Sequence, residues 1–369
     1  SSVPNLFNLL YESGTIVEPV SQIPIENIRN AKERLVDIRK TPLLPFEMPI
    51  NFPPSPSIYL KCENLQVTGS FKVRGAGNAV KSADPKVLES GVWTASAGNM
   101  GLGVAWHAKN LGITCRVVVP NDAPKGKIEA LERLNATVIP LSRDEYWHIQ
   151  KTHQHKDMEG FFIHPFCNHE VMAGNGTIAL EILEDLPDVE NIIVPYGGGG
   201  LSCGIGSAIK AIAPHVKLYA SETENGAPLA PSLAAGEMMT VPYSKSFVSG
   251  MGSLRLFDEM WPAAYKLIDG AFVVPLAETS RAIRELVRYN HLVAEGAGAT
   301  AVAAAYLGLN TGAGEGAPAN MLKISDSGAL FGSRYGAEKS LPLTGKTVCV
   351  ISGGNIDNEL LSGILQQTL

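Results

Sequence analysis

Residues 191–200 read NIIVPYGGGG, an apolar run that ends in four consecutive glycines. The next residues, LSCGIGSAIK, have the spacing of a helix. A short, unbroken apolar segment with β-branched residues is a buried strand, so the sequence predicts strand, glycine turn, helix. Four residues without Cβ let backbone N–H groups converge, and the helix start adds its positive end. Gly197, Gly198, Gly199 and Gly200 therefore form either a phosphate cradle or a tight strand-to-helix turn. The run is not a GxGxxG near the start of a nucleotide domain, and no GK[ST] follows it, which disfavours ATP hydrolysis.

The same alternation spreads outward from this stretch. Strands are expected at 58–63 (IYLKCE), 91–96 (GVWTAS, strand and loop), 113–120 (ITCRVVVP), 137–141 (TVIPL), 161–165 (FFIHP), 216–222 (VKLYASE) and 347–355. Helices are expected at 24–39, from 70 onward, 101–112, 125–136, 144–159, 174–186, 201–214 and along one long region, 284–307. Short apolar strands alternating with helices of about a dozen residues argue for α/β layers on mainly parallel sheets. A small unit is expected over 91–167, with a larger, discontinuous one built from 1–90 and 168–369. A Pro/Ser turn is expected at 51–57, and 310–343 reads as a loop without clear periodicity.

The chain has 369 residues, 45% apolar and 18% charged, with a net charge of −6. That composition is globular, and the acidic balance gives no footprint for nucleic acid. Five scattered cysteines without a CxxC pair suit free thiols in a reducing, cytoplasmic setting. The N-terminal stretch lacks the pattern of a signal peptide, and no apolar run is long enough for a membrane helix.

Further motifs could carry chemistry. TGSFKVRG (68–75) places Lys72 at a helix start between an aromatic and small residues. A lysine that attacks a carbonyl needs burial to lower its pKa, whereas a solvated lysine needs nothing. TASAGNMG (94–101) crowds small residues with one amide, Asn99, and a thioether, Met100. Ser352 follows the strand VCVI, at the sheet edge where ligands bind, though a serine there also caps helices. Glu295 precedes a helix of small residues, as a cap or as a group facing a ligand. Glu222 ends a strand beside Glu224 and Asn225 and is either a cation ligand or a solvated carboxylate. His148, His153 and His155 lack zinc spacing and read as a solvated helix face. No GxSxG elbow is present.

Taken together, ENLQVTGSFKVRGA, SAGN, GGGG and SGGN resemble, at these separations, the serine/threonine dehydratase family of fold type II pyridoxal-phosphate enzymes, which are tryptophan-synthase-β-like and related to serine racemase. The resemblance covers about 24–309 and 346–360. It implies two open, twisted, mainly parallel sheets flanked by helices, a pyridoxal 5′-phosphate cofactor and a homodimer. By position, Lys72 would attach the cofactor and Phe71 would pack near its ring. Asn99 would bond the ring's 3′-oxygen, Gly197 to Gly200 would hold the phosphate, and Ser352 would face the ring nitrogen. Ser96, Ala97, Gly98, Asn99 and Met100 would line the substrate side, with Ser96, Ala97, Gly98 and Asn99 forming the loop that grips the carboxylate. Glu295 would lie near substrate and ring. Glu222 would match one ligand of a Mg2+ or K+ site, although Gly226 and Pro228 stand where further ligands would be expected.

The implied reaction is β-elimination of water from a β-hydroxy amino acid (serine, threonine or a bulkier analogue), giving a 2-oxo acid and ammonia. The freed Lys72 would take the Cα proton. Serine racemases of this family carry a second serine where Ala97 stands, which counts against efficient racemisation. The residue after Asn99 is usually histidine there and is Met100 here. Racemisation, β-replacement and a non-catalytic binding role on the same fold are the competing readings.

Overall fold

A computed structural model describes residues 9–10, 16–47, 57–310, 330–331 and 343–368. Most of the turn expected at 51–57 and of the loop at 310–343 lies outside the described residues. Among these residues the chain builds two large sheets, besides a two-stranded antiparallel pair of Leu9–Leu10 with Ile16–Val17. The larger uses β1 (Leu43–Pro45), β2 (Ile58–Lys61), β7 (Asn191–Pro195), β8 (Lys217–Thr223), β9 (Gly270–Val274), β10 (Leu330–Phe331) and β11 (Thr347–Val350). Their order is β10-β9-β8-β7-β11-β2-β1. The five inner strands pair in parallel and both edge strands pair antiparallel. The smaller sheet has β3 (Val92–Ala95), β4 (Cys115–Pro120), β5 (Thr137–Leu141) and β6 (Phe161–Phe162), all parallel, in the order β5-β4-β3-β6.

The period of two along each strand sorts its side chains between two cores. Ile192 and Val194 of β7, with Val348 and Val350 of β11, enter one apolar cluster. Ile193 and Cys349 enter the other, on the opposite face. In the small sheet Val117 and Val119 of β4 face one cluster and Val118 the other. Strands buried on both faces explain the unbroken apolar runs in the sequence. The helices used below are α1 (Ile25–Arg34), α2 (Lys72–Ser82), α3 (Asn99–Leu111), α4 (Lys125–Glu132), α5 (Arg143–Thr152), α6 (His169–Asp185), α7 (Gly200–Ile212), α8 (Leu229–Ala235), α9 (Leu276–Asn290) and α10 (Gly296–Asn310).

Several elements differ from the sequence expectation. The long helical region at 284–307 is two helices, because His291 takes a left-handed conformation (φ 56°) and ends α9. The gap so created carries Glu295. The helix expected over 144–159 stops at Thr152, where His153 is likewise left-handed (φ 59°). Strand β9 and both antiparallel edges carry no periodic signal strong enough to predict. All five cysteines are free and buried, as small apolar side chains would be.

Candidate active site

The motif loops lie where inner strands end, at the carboxyl edge where open α/β sheets bind ligands. Residues 352–355 follow β11, residues 197–200 follow β7, and residues 96–99 follow β3. Backbone hydrogen bonds stitch three of the motifs together. Phe71 N–H donates to Ser352 O (2.9 Å), Gly354 N–H to Gly69 O (2.8 Å), and Glu295 N–H to Gly353 O (3.0 Å). Side chains join the fourth: Asn99 Nδ2 donates to Glu295 Oε1 (2.7 Å), and Asn355 Nδ2 donates to Asn99 Oδ1 and to Thr68 O (both 2.8 Å). TGSFK, SAGN, EGAG and SGGN are thus one constellation.

Lys72 opens α2, and its Nζ donates to Pro165 O at 2.5 Å. The same atom lies 5.1 Å from the centroid of the buried Phe71 ring. Part of the residue stays accessible, yet the amine is deep enough that burial pulls its pKa from 10.5 to about 8, with Glu295 opposing. A usable fraction of free amine at neutral pH is what a carbonyl-attacking lysine requires. Burial also pushes the Glu295 carboxyl up to about 7, against the Asn99 amide, the Lys127 charge, the Asn355 backbone and the Lys72 charge.

The glycine run fits a phosphate for reasons the geometry supplies. A Cβ on Gly198 would meet the Phe166 ring at 2.3 Å, and Gly199 is left-handed (φ 92°), so neither position accepts a side chain. Helix α7 starts at Gly200 with no side-chain cap, leaving its first N–H groups for an anion. Phe166, on which Gly198 and Gly200 rest, directly follows Pro165, the acceptor of Lys72. One short segment therefore sets both the lysine and the cradle. A depressed amine, an amide, a buried hydroxyl at Ser352 and an uncapped helix start form a donor set that suits an aromatic aldehyde bearing a phosphate.

Other expected residues have different surroundings. Met100 is buried in the apolar core of the small sheet, in the cluster that contains Val104, Val117 and Leu131. Ala97 packs part-buried against that same cluster, whereas a Cβ on Gly98 would meet open space. Ser96 Oγ accepts from Gly98 N–H at 3.2 Å, which shapes the loop. Both carboxylate oxygens of Glu222 are occupied by Leu229 and Ala230 N–H (2.9 Å each), at the start of α8. Its carboxyl is pushed by burial to about 8. Sequence reasoning does not single out Pro165, Phe166 or Asn355. Asn355 sits inside a quoted motif and could be found that way; Pro165 and Phe166 belong to no motif and reach the site only through topology.

The sheets and this constellation define a fold type II pyridoxal-phosphate enzyme. The profile of the pyridoxal-phosphate dependent enzymes matches residues 35–321, and the chain belongs to that family. It is 36% identical over 352 residues to an L-threonine ammonia-lyase of Geobacter sulfurreducens, covering 94% of this chain and 79% of that one. It is also 36% identical over 344 residues to the catabolic L-threonine dehydratase TdcB of Escherichia coli K12, covering 93% and 96%. Among solved structures, maize serine racemase superposes with a TM-score of 0.73 at 28% identity, covering 94% of this chain and 98% of that one. The serine racemase of Dictyostelium discoideum gives 0.70 at 29%, covering 91% and 100%. No helix among the described residues is long and apolar enough to cross a membrane.

Proposed function

We propose that this protein is a pyridoxal-phosphate-dependent ammonia-lyase that eliminates water from serine, threonine or a bulkier β-hydroxy amino acid, yielding a 2-oxo acid and ammonia. The observation that carries the reading is Lys72: an amine pulled to about 8, held by one carbonyl, where four motif loops meet. Sequence kinship with threonine dehydratases supports elimination as the reaction. When bound, the cofactor supplies an electron-withdrawing ring system that stabilises charge at Cα.

Each protein group has its own part. Lys72 would hold the cofactor through its amine and, once that amine is free, would take the Cα proton. The loop 96–99 grips the substrate carboxylate with Ser96, Gly98 and Asn99. Gly197 to Gly200 hold the phosphate. Asn99, fixed by Glu295 and Asn355, would orient the cofactor, with Phe71 packing against it and Ser352 bonding it. Ala97 supports elimination over inversion because a methyl group has no proton to return to the opposite face of Cα. Met100 contributes through packing beneath the loop rather than by contact with substrate. A role for Glu222 in a Mg2+ or K+ site would need further oxygens beside the two already bonded to α8. The division into 1–90 with 168–369 and 91–167, and assembly as a homodimer, complete the proposal. All four strands of the small sheet fall within 91–167.

The experiment is a screen of β-hydroxy amino acids that follows ammonia, 2-oxo acid and the chirality of unreacted substrate together. Ammonia and 2-oxo acid in equal amounts are expected. Fast inversion at Cα without ammonia would overturn the assignment.

A further inference from the structure

The helix face that reads as solvated from its histidines conceals a second constellation. His148 is exposed, but His153 stands beyond the end of α5, only 23% exposed, and turns its ring into the protein. Its Nε2 is buried without a hydrogen-bond partner and lies 3.5 Å from Glu259 Oε1. Cys167 completes the group: one donor atom from each of His153, Cys167 and Glu259 lies within 4.8 Å of the others. Cys167 and Glu259 are both buried.

The backbones that carry the three side chains are anchored, and the His153 ring is packed. The left-handed His153 is held by its own N–H to Ile149 O (2.8 Å), and its ring stacks on His164 at 4.3 Å between centroids. His164 is anchored in turn, with Nδ1 accepting from Cys167 N–H (2.8 Å) and Nε2 facing Gln150 O (3.1 Å). Because Nδ1 accepts, Nε2 carries the proton, and both His164 nitrogens are committed. The backbone of Glu259 accepts from Val20 N–H at 2.7 Å. Ligand side chains carried on anchored backbone are a usual feature of a metal site.

We propose that His153, Cys167 and Glu259 bind a borderline-soft divalent ion, Zn2+ or Co2+, at a site separate from the cofactor. One thiolate, one imidazole and one carboxylate make a set suited to tetrahedral zinc, with a fourth place for water. A sulfur ligand argues against Mg2+ or K+, so this is a different kind of site from any oxygen-lined one at Glu222. On binding, the Cys167 thiol gives its proton to solvent and the sulfur binds as thiolate; the imidazole binds neutral and the carboxylate ionised. The part-exposed edge of His153 supplies a route of entry. The ion would tie residue 153, beyond the small sheet's α5, to residue 259 of the larger unit. It would do so through Cys167, two residues from the carbonyl that holds Lys72.

The proposal is independent of which amino acid the enzyme uses. Its test is to titrate metal-depleted holoenzyme with Co2+ and follow the long-wavelength d–d bands of tetrahedral cobalt, which lie clear of the cofactor's absorption. Zinc content after dialysis is measured in parallel. Bands saturating at about one equivalent per chain are expected, with a loss of at least about tenfold in affinity in Cys167→Ser and in His153→Asn. Asparagine tolerates the left-handed backbone of residue 153, so that variant stays informative even if Cys167→Ser misfolds. Absence of tetrahedral bands in the wild-type holoenzyme would overturn the proposal. Bands that saturate in His153→Asn at the same Co2+ concentration as in wild type would overturn it equally, since the ion would then be bound elsewhere.

Discussion

Lys72 and Arg74 lie two residues apart in the first turn of α2, one partly and the other wholly removed from water, and the fold treats them in opposite ways. Arg74 is fully buried and donates to both oxygens of Glu63 (2.8 Å each), to both oxygens of Glu181 (2.7 and 2.8 Å) and to Thr177 Oγ1 (3.1 Å). Lys61 adds a second cation, bonded to Glu181 at 2.6 Å and to Thr41 O at 2.7 Å. Two cations meet two carboxylates, and the network is neutral. Burial alone would push the Glu63 carboxyl up, yet Arg74 holds it below its ordinary value. Lys72 has one carbonyl and no such pairing, and its pKa falls. Buried charge that supports structure is compensated; buried charge meant for chemistry is left short.

The sharpest way to break this contrast is to delete the uncompensated amine. Lys72→Ala should lower kcat by about 10²–10⁴-fold or more and abolish the cofactor's visible absorption, with little change in the denaturant midpoint. An unchanged rate would remove Lys72 from the chemistry altogether.

Deleting the compensated cation should do the reverse. Arg74→Ala leaves the buried Glu63 and Glu181 carboxylates with only Lys61 to offset their charge, and should cost about 3–5 kcal/mol of folding stability. Activity per folded molecule should survive at temperatures where the variant remains folded. Denaturant unfolding beside active-site titration separates these effects. A variant as stable as wild type would show that the network contributes no net stability.

The two cations also show what a sequence can and cannot reveal. TGSFKVRG displays Lys72 and Arg74 side by side, and the helix start is legible from the small residues around them. Lys72 is recognisable because SAGN, GGGG and SGGN recur at fitting separations. Arg74 is not, because its partners Glu63 and Glu181 lie on different elements and no short motif joins them. The parallel strands are legible since burial on both faces leaves unbroken apolar runs. The break between α9 and α10 is hidden, because one left-handed residue, His291, ends a helix without a glycine. The carbonyl of Pro165 has no side-chain signature at all, although it is the group that Lys72 touches.

Glu295 tests the same principle with the opposite charge. Its folded pKa is about 7 against an ordinary 4.5, so between those values the folded protein holds a proton that the unfolded chain has lost. That contribution to stability is complete below about pH 4.5 and is lost as pH rises through 7. The difference corresponds to about 3 kcal/mol across the window. Glu295→Gln removes it, so the variant should gain on wild type by about that amount between pH 5 and pH 8 in cofactor-free protein. Parallel pH profiles for the two would show that the carboxyl is not held protonated.

The smallest effect is expected on the facing helix, where α3 repeats the division of labour in adjacent residues. Asn99 belongs to the site through Glu295 and Asn355, while the next side chain, Met100, is only 1% exposed and lies in the small sheet's core. If Met100 serves packing, a residue of similar volume should replace it. Met100→Leu should change stability by less than about 1.5 kcal/mol and leave the ratio of kcat/KM between serine and threonine as it is. A loss of stability within that bound together with a changed ratio would place residue 100 in the substrate pocket. The relation between SAGN and the core beneath it would then have to be redrawn, because the thioether would be read by substrate as well as by Val104 and Leu131.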